Sequence, residues 1–344
     1  MNAHLGSWAT SGFGNLAQFA VAVAATRTGG GLDNRLVAMA GDASAAASEG
    51  YVIPAEFKDR IWDLVLNQTD LIGMTHNEVT TRNRVNIVKE ETTPWGAEGI
   101  KAQWRQHGSA APNATSIMLN MASVPLHELH AYTIATSELL EDAPLLAGRL
   151  TNGAASAIRW TASNSIMWGS GAGQPLGFMK SKALIVSEKE AGQSSKTITA
   201  QNVANMYARL IPGSVRNARW FLHSDALPQV MTMKVDGQPI WTPPIAGFAD
   251  APGGFLLGRP IELTEHAAEL GELGDIVFAD LTGYYMPTKS DGIDLKSSIH
   301  LWFDHGLEAF RWIFRVGGQP LLSKPVNAAR GGTTKSHFVA LEPR

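Results

Sequence analysis

The clearest period-two pattern in the chain lies at 309–316, where Phe310, Trp312, Phe314 and Val316 alternate with Arg311, Ile313 and Arg315. Successive side chains of a strand point to opposite faces, so this stretch predicts a strand with one face buried. The same period appears at 116–136, first in Ile117, Leu119 and Met121, then in Ala131, Thr133 and Ala135. With a further β-leaning run at 294–305, these segments predict one antiparallel sheet. Between the two halves of that sheet the period changes. Residues 137–142 and Pro144 lead into Leu146, Leu150, Ala154, Ala157, Ile158 and Thr161. This three-and-four spacing lasts about six turns, longer than the usual three or so, and predicts a single long helix. The glycines of 169–177 suit its end, because glycine tolerates the left-handed conformation that terminates helices.

Other elements are shorter. Residues 1–50 are rich in Ala, Gly, Ser and Thr and lack a periodic core, so the segment is expected to be a flexible terminus or, in the preferred reading, an arm held in order by lying across a neighbour. After Pro54 a helical pattern begins at Phe57, Ile61, Leu64 and Val65. Two β-leaning runs, 85–88 and 100–104, flank Pro94, Trp95 and Gly96 and predict a long hairpin. Its charges are mixed (Lys89, Glu90, Glu98, Lys101, Arg105), and too few apolar residues line either face to bury it at home. An isolated two-stranded ribbon is marginal in water, so this one needs another surface. Further on, Thr199 caps a helix carrying Val203, Met206, Tyr207, Leu210 and Ile211, and 219–222 reads as a strand. Ser224 reads as the cap of a second helix with Leu227, Val230 and Met231, and Asp236-Gly237 as a turn.

Composition narrows the class. At 344 residues the chain exceeds the size at which one core usually stops growing, so two packed subdomains or one extended molecule are expected. Charged residues make up 17%, below the roughly 25% typical of soluble domains, as in a chain that hides surface in partners. A formal charge of -3 supplies no field for nucleic-acid phosphates, which argues against sequence-specific DNA binding. Cysteine is absent, and with it disulfides, thiolate zinc sites and cysteine nucleophiles. The apolar run 16–25 is too short to span a bilayer and has no basic residues before it, so neither a signal peptide nor membrane association is expected.

Candidate chemistry is thin. The cluster Gly169, Gly171, Gly173 follows a helix and runs into Pro175, the reverse of a dinucleotide-binding turn. His127 and His130 are three apart in a predicted strand, which sends their rings to opposite faces rather than to one metal. His300 and His305 flank an aromatic run, there is no Gly-x-Ser-x-Gly, and the adjacent carboxylates Glu90-Glu91 and Glu141-Asp142 resemble ordinary surface charge. No catalytic, cofactor-binding or metal-binding residue is predicted, and no enzyme.

Four strings then stand out: GSGAGQPLG at 169–177, GRPIEL at 258–263, DIVFADLTGYY at 275–285 and FRWIFRV at 310–316, with EGYVIPAEF at 49–57 ahead of them. In this order they resemble the major capsid protein of tailed bacteriophages, the family with the Hong Kong ninety-seven phage capsid fold. The resemblance implies an α+β chain in six parts: an N-terminal arm (1–50), an entry helix region (51–81), an extended hairpin loop (82–114), a first peripheral-domain segment with the spine helix and antiparallel sheet (115–172), an axial domain (173–281), and a second peripheral segment with a C-terminal tail (282–344). Ala279 departs from the pattern, since many relatives have Gly there. A long scaffolding segment is not evident before Tyr51, so a separate scaffold or an already short arm is expected.

By the same resemblance the chain self-assembles as hexamers and pentamers into an icosahedral head enclosing double-stranded DNA without reading its sequence. Portal, scaffold and decoration proteins are its expected partners, the virion its location, and the host cytoplasm its place of assembly. Lys89, Glu90, Pro94, Trp95, Glu98, Lys101 and Arg105 are the expected contacts between subunits. Lys101, or Lys89, and Asn327 are candidates for the lysine–asparagine weld that some members form. Two alternatives stand beside this reading, an encapsulin-like compartment of the same fold and a β-rich hydrolase.

Overall fold

The computed structural model describes residues 70–89, 120–136, 143–244, 253–302 and 307–344, together with Ala22, Arg35, Thr93, Trp95, Ala102, Trp104 and His107. The expected N-terminal arm, apart from Ala22 and Arg35, and the expected helix at 57–65 lie outside them. Four helices are described: α1 (Leu71–Met74), α2 (Ala143–Trp168), α3 (Ala200–Arg209) and α4 (Leu227–Thr232). The first strands are β1 (His76–Thr80), β2 (Arg84–Lys89), β3 (Asn120–Pro125), β4 (His127–Thr136), β5 (Ile185–Ser187) and β6 (Arg219–Leu222). Next come β7 (Lys234–Val235), β8 (Gln238–Pro239), β9 (Trp241–Thr242), β10 (Phe255–Leu256), β11 (Arg259–Leu263) and β12 (Ile276–Ala279). The last are β13 (Tyr284–Trp302), β14 (Leu307–Val316), β15 (Gln319–Pro320), β16 (Val326–Asn327), β17 (Thr334–Lys335) and β18 (Phe338–Leu341).

One sheet has the order β1-β13-β14-β4, with β15 paired to β13. The alternation at 309–316 does what its period predicts. Phe310, Trp312, Phe314 and Val316 are buried, and across the antiparallel register they face Thr133, Ala131, Leu129 and His127 of β4. On the opposite face Arg315 reaches Glu128 at 2.8 Å. Ile313 shares the arginine face and is nevertheless buried, a cover the alternation does not anticipate.

The buried face is roofed by α2, whose 26 residues span about 39 Å at 1.5 Å per residue. Its buried stripe is Ala154, Ala155, Ile158, Ala162 and Ile166. Ala157 and Thr161, expected in that stripe, face solvent, because one residue's advance is 100° around a helix and the stripe is centred on Ile158. Pro144 sits in the first turn, where its missing N–H costs nothing. At the other end the chain doubles back on itself: Gly177 N donates to Gly169 O at 2.9 Å. A Cβ on Gly177 would lie 2.4 Å from Met167 O, so only glycine permits this approach.

The second sheet has the order β5-β18-β12-β6-β11-β10-β9. Its core stacks Trp220 on Phe278 at 4.1 Å and Tyr207 on Phe278 at 5.4 Å. Helix α3 packs beside it and is capped by Thr199, as expected; the structure adds a reciprocal bond from Asn202 that completes a capping box. Ser224 is not a helix cap: it opens a 3-10 turn whose capping side chain is His223, and Met231 is exposed. The turn at Asp236-Gly237 joins β7 to β8, both residues being left-handed with φ of 48° and 80°. Strand β18 comes from far along the chain and lies between β5 and β12. Residues 282–344 therefore contribute to both sheets; the sequence reading joined 294–305 and 309–316 to the first and gave the end of the chain only as a tail. The insertion is locked by Arg344, whose Nη2 meets Asp275 Oδ2 at 2.5 Å with both side chains fully buried. Asp275 also accepts from Gly271 N and Ile276 N, so its charge is fully engaged inside.

The hairpin is paired differently from the sequence expectation. Strand β2 runs antiparallel to β3, from Arg84 opposite Pro125 to Lys89 opposite Asn120. The run at 85–88 thus pairs with 121–124 rather than with 100–104, and 120–125 belongs to the hairpin instead of the sheet. Most of the connecting loop lies outside the described residues.

Candidate assembly surface

The hairpin is rooted by three contacts. Lys289 of β13 donates to Thr81 O at 2.9 Å and Asn83 Oδ1 at 2.7 Å, holding the turn between β1 and β2. Leu126 N donates to Asn83 O at 3.0 Å and closes the base. Gly317 lets Pro125 pass so closely that a Cβ there would lie 2.6 Å from its carbonyl oxygen. Beyond this root Lys89 is buried, with Nζ 3.1 Å from Pro320 O and 3.4 Å from Ser323 Oγ. The ammonium thus ties the hairpin to the end of β15 and to Ser323 just after it.

Past its root the hairpin exposes apolar surface. Val88 and Met121 are directly opposed across the ribbon, hence on one face, and are 57% and 74% exposed. On the other face Val124 is buried. Val79 and the indole of Trp104 are exposed as well. The sequence reading missed Val88 and Met121 as a pair because it gave β2 the wrong partner.

Trp95 is 54% exposed, and its Nε1 donates to Asn327 O of β16 at 3.0 Å. Together with Thr93, Ile211, Pro212, Ala329 and Lys335 it borders a cavity of about 500 Å³. Of the residues expected to lie between subunits, the structure therefore brings Trp95 to Asn327 and buries Lys89. Glu90, Pro94, Glu98, Lys101 and Arg105 lie outside the described residues.

Groups with the right identities for catalysis are arranged otherwise. Ser214 Oγ lies 2.7 Å from His337 Nδ1, and Asp280 Oδ2 is 3.9 Å from the same nitrogen. A relay needs the hydroxyl and the carboxylate on different ring nitrogens, so this trio cannot orient a base toward its serine. Asp280 instead accepts from Thr282 N and Oγ1, capping the short turn after β12. His127 and His130 fall on opposite faces of β4, opposite Val316 and Ile313 respectively. Among the described residues no group of three or more His, Asp or Glu is placed to hold a metal ion.

The fold thus combines a long helix laid on a sheet that is antiparallel except for the parallel edge pair β1–β13, a rooted hairpin that exposes apolar residues, and a second sheet closed by the far end of the chain. The chain belongs to the phage capsid family, whose model matches residues 49–330. Among solved structures it is similar to the capsid of an empty GTA particle, with a TM-score of 0.61 and 18% identity over 79% of this chain and 88% of that one. It is also similar to chains of Mycobacterium phage Adephagia (TM-score 0.54, 15% identity, 80% and 91% covered) and Gordonia phage Cozz (TM-score 0.52, 9% identity, 88% and 94% covered). No curated protein sequence matches it. The protein is a structural component of a virion's capsid shell and associates with copies of itself. The compartment and hydrolase alternatives are not favoured.

Proposed function

We propose that the chain forms hexameric and pentameric rings that close into an icosahedral head around double-stranded DNA. The hairpin β2–β3 carries this reading: Val88 and Met121 stand exposed on a two-stranded ribbon, an arrangement that gains stability only when another surface covers it. Repeated overlaps of this kind make each subunit's departure require several contacts to break together, so stability belongs to the closed shell. The nearly balanced charge suits DNA that is contained without being read. Catalysis has no part in this role. Assembly takes place in the host cytoplasm, with a separate scaffold, a portal at one vertex and decoration proteins as partners. Of the two weld candidates, Lys89 is engaged with Pro320 and Ser323, which leaves Lys101 as the lysine to pair with Asn327.

Negative-stain microscopy of the sedimenting fraction of recombinant protein, alone and with a co-expressed scaffold, tests the proposal. Closed shells or rings of six and five are expected. A monomer under both conditions would overturn it.

A further inference from the structure

We infer that the buried pair Arg344–Asp275 is a latch that closes the second sheet as a unit once residues 338–344 have joined it. A subunit without the latch keeps its first sheet but is not admitted to a shell. The assembly half rests on the shell reading above; the latch itself does not.

The strand that closes the sheet follows all of its partners in the chain. Strand β18 pairs with β5 on one side and β12 on the other, and among the described residues β5 has no other strand beside it. Phe338, Val339, Ala340 and Leu341 are all fully buried. Successive side chains serve both cores: Phe338 stacks on Phe178 at 4.9 Å in the core beneath α2, whereas Val339 and Leu341 join that of Trp220 and Phe278. Until this strand arrives, β5 and β12 each lack a neighbour.

Arg344 then draws two loops together. Its backbone N–H donates to Gly271 O at 2.9 Å, and its carbonyl accepts from Lys196 N at 3.2 Å. Its guanidinium donates from Nε to Thr197 O and holds both oxygens of Asp275, at 3.3 and 2.5 Å. The loop ahead of α3 and the loop ahead of β12 are thereby closed on the same residue. Gly271 has a φ of 101°, and a Cβ there would lie 3.1 Å from Arg344 O, so this loop is shaped to receive Arg344. Charge makes the closure conditional. Without Arg344 the fully buried Asp275 keeps its two backbone donors but loses its counter-ion, and a buried unpaired charge is strongly disfavoured. The loop must then open to water, and Asp275 directly precedes Ile276, the first residue of β12. The ladders of the first sheet, from β4 through β14 to β13, involve none of these residues.

Hydrogen exchange of the unassembled subunit, read by mass spectrometry, tests the latch. Arg344→Met is expected to raise exchange at 185–187 and 276–279 about a hundredfold or more, with 309–316 changed by no more than about threefold. Adding Asp275→Asn removes the stranded charge and is expected to recover about tenfold or more of the lost protection. Arg344→Lys, which keeps the charge without the two-pronged grip, is expected to fall between Arg344→Met and the unsubstituted protein. Equal loss of protection in both sheets would overturn the latch, and so would a double variant no better protected than Arg344→Met. Sedimentation of the same preparations tests the assembly half, with few shells expected from Arg344→Met and more from the double variant. A normal shell yield from Arg344→Met subunits whose second sheet exchanges fast would refute the gate on assembly. Absence of shells from the unsubstituted protein would instead bring down the shell reading and leave the latch standing on the exchange data.

Discussion

His266 shows how one residue couples the helix to the second sheet. Its ring lies against the indole of Trp160 with centroids 4.1 Å apart, and its carbonyl accepts from Trp168 Nε1 at 2.7 Å. The buried Nδ1 has no hydrogen-bond partner among the described residues. Burial holds the imidazole below its ordinary value of 6.5, against the smaller opposing pull of Asp70 and Glu265. Burial lowers His127 and His337 in the same way, with Asp280 partly opposing the second. The folded state thus favours neutral rings, and as pH falls below 6.5 the unfolded chain takes up protons first. Stability from these sites is complete above that pH and declines below it. Urea unfolding of the unassembled subunit at pH 7.5 and pH 5.5 is expected to show a lower midpoint at the acid value. His266→Gln should reduce the difference, and an unchanged difference would mean that His266 is not a source of it.

At the scale of elements, the interior of α2 and the chain that returns to its C-terminal end make opposite demands on glycine. Gly153 is exposed in the helix with open space around its Cβ position. Gly153→Ala is therefore expected to stabilise the subunit by about 0.5–1 kcal/mol through helix propensity alone. Gly177 has backbone atoms within 2.6 Å of that position, so Gly177→Ala must push the returning chain away from the helix end. A loss of roughly 1–3 kcal/mol is expected, as for other overpacked sites. Thermal melts of the two variants should move in opposite directions; a common direction would contradict the close-approach argument. This turn was legible in the GSGAGQPLG string as a helix end. The stripe of α2 was legible at Leu150, Ala154 and Ile158 but not at its edge, where Ala157 and Thr161 face solvent, since Ala and Thr are small enough to sit on either side of a boundary and only the sheet beneath decides between them.

At the scale of the whole molecule, the hairpin separates folding from assembly. Met121 contributes little to the subunit's own core, so Met121→Lys should change the unfolding free energy by no more than about 0.5 kcal/mol. The same substitution places a charge where a partner's surface is to be excluded from water, and the yield of sedimenting shells should fall sharply. Comparing the circular-dichroism melt with sedimentation of the same preparation checks both halves. A variant that melts normally and assembles normally would show that this face of the ribbon stays in water.

The sequence by itself determined the elements whose signals are local: the alternation at 309–316, the helix cap at Thr199, the turn at Asp236-Gly237 and the glycine turn after α2. Periodicity and backbone freedom are properties of neighbours in the chain, so they are written where they act. Pairing is not. That β2 lies against β3, and that β18 lies between β5 and β12, depends on which apolar faces meet across long separations. The contact of Trp95 with Asn327 likewise joins residues more than two hundred positions apart. No residue near either one specifies the other, and only the folded chain brings them together.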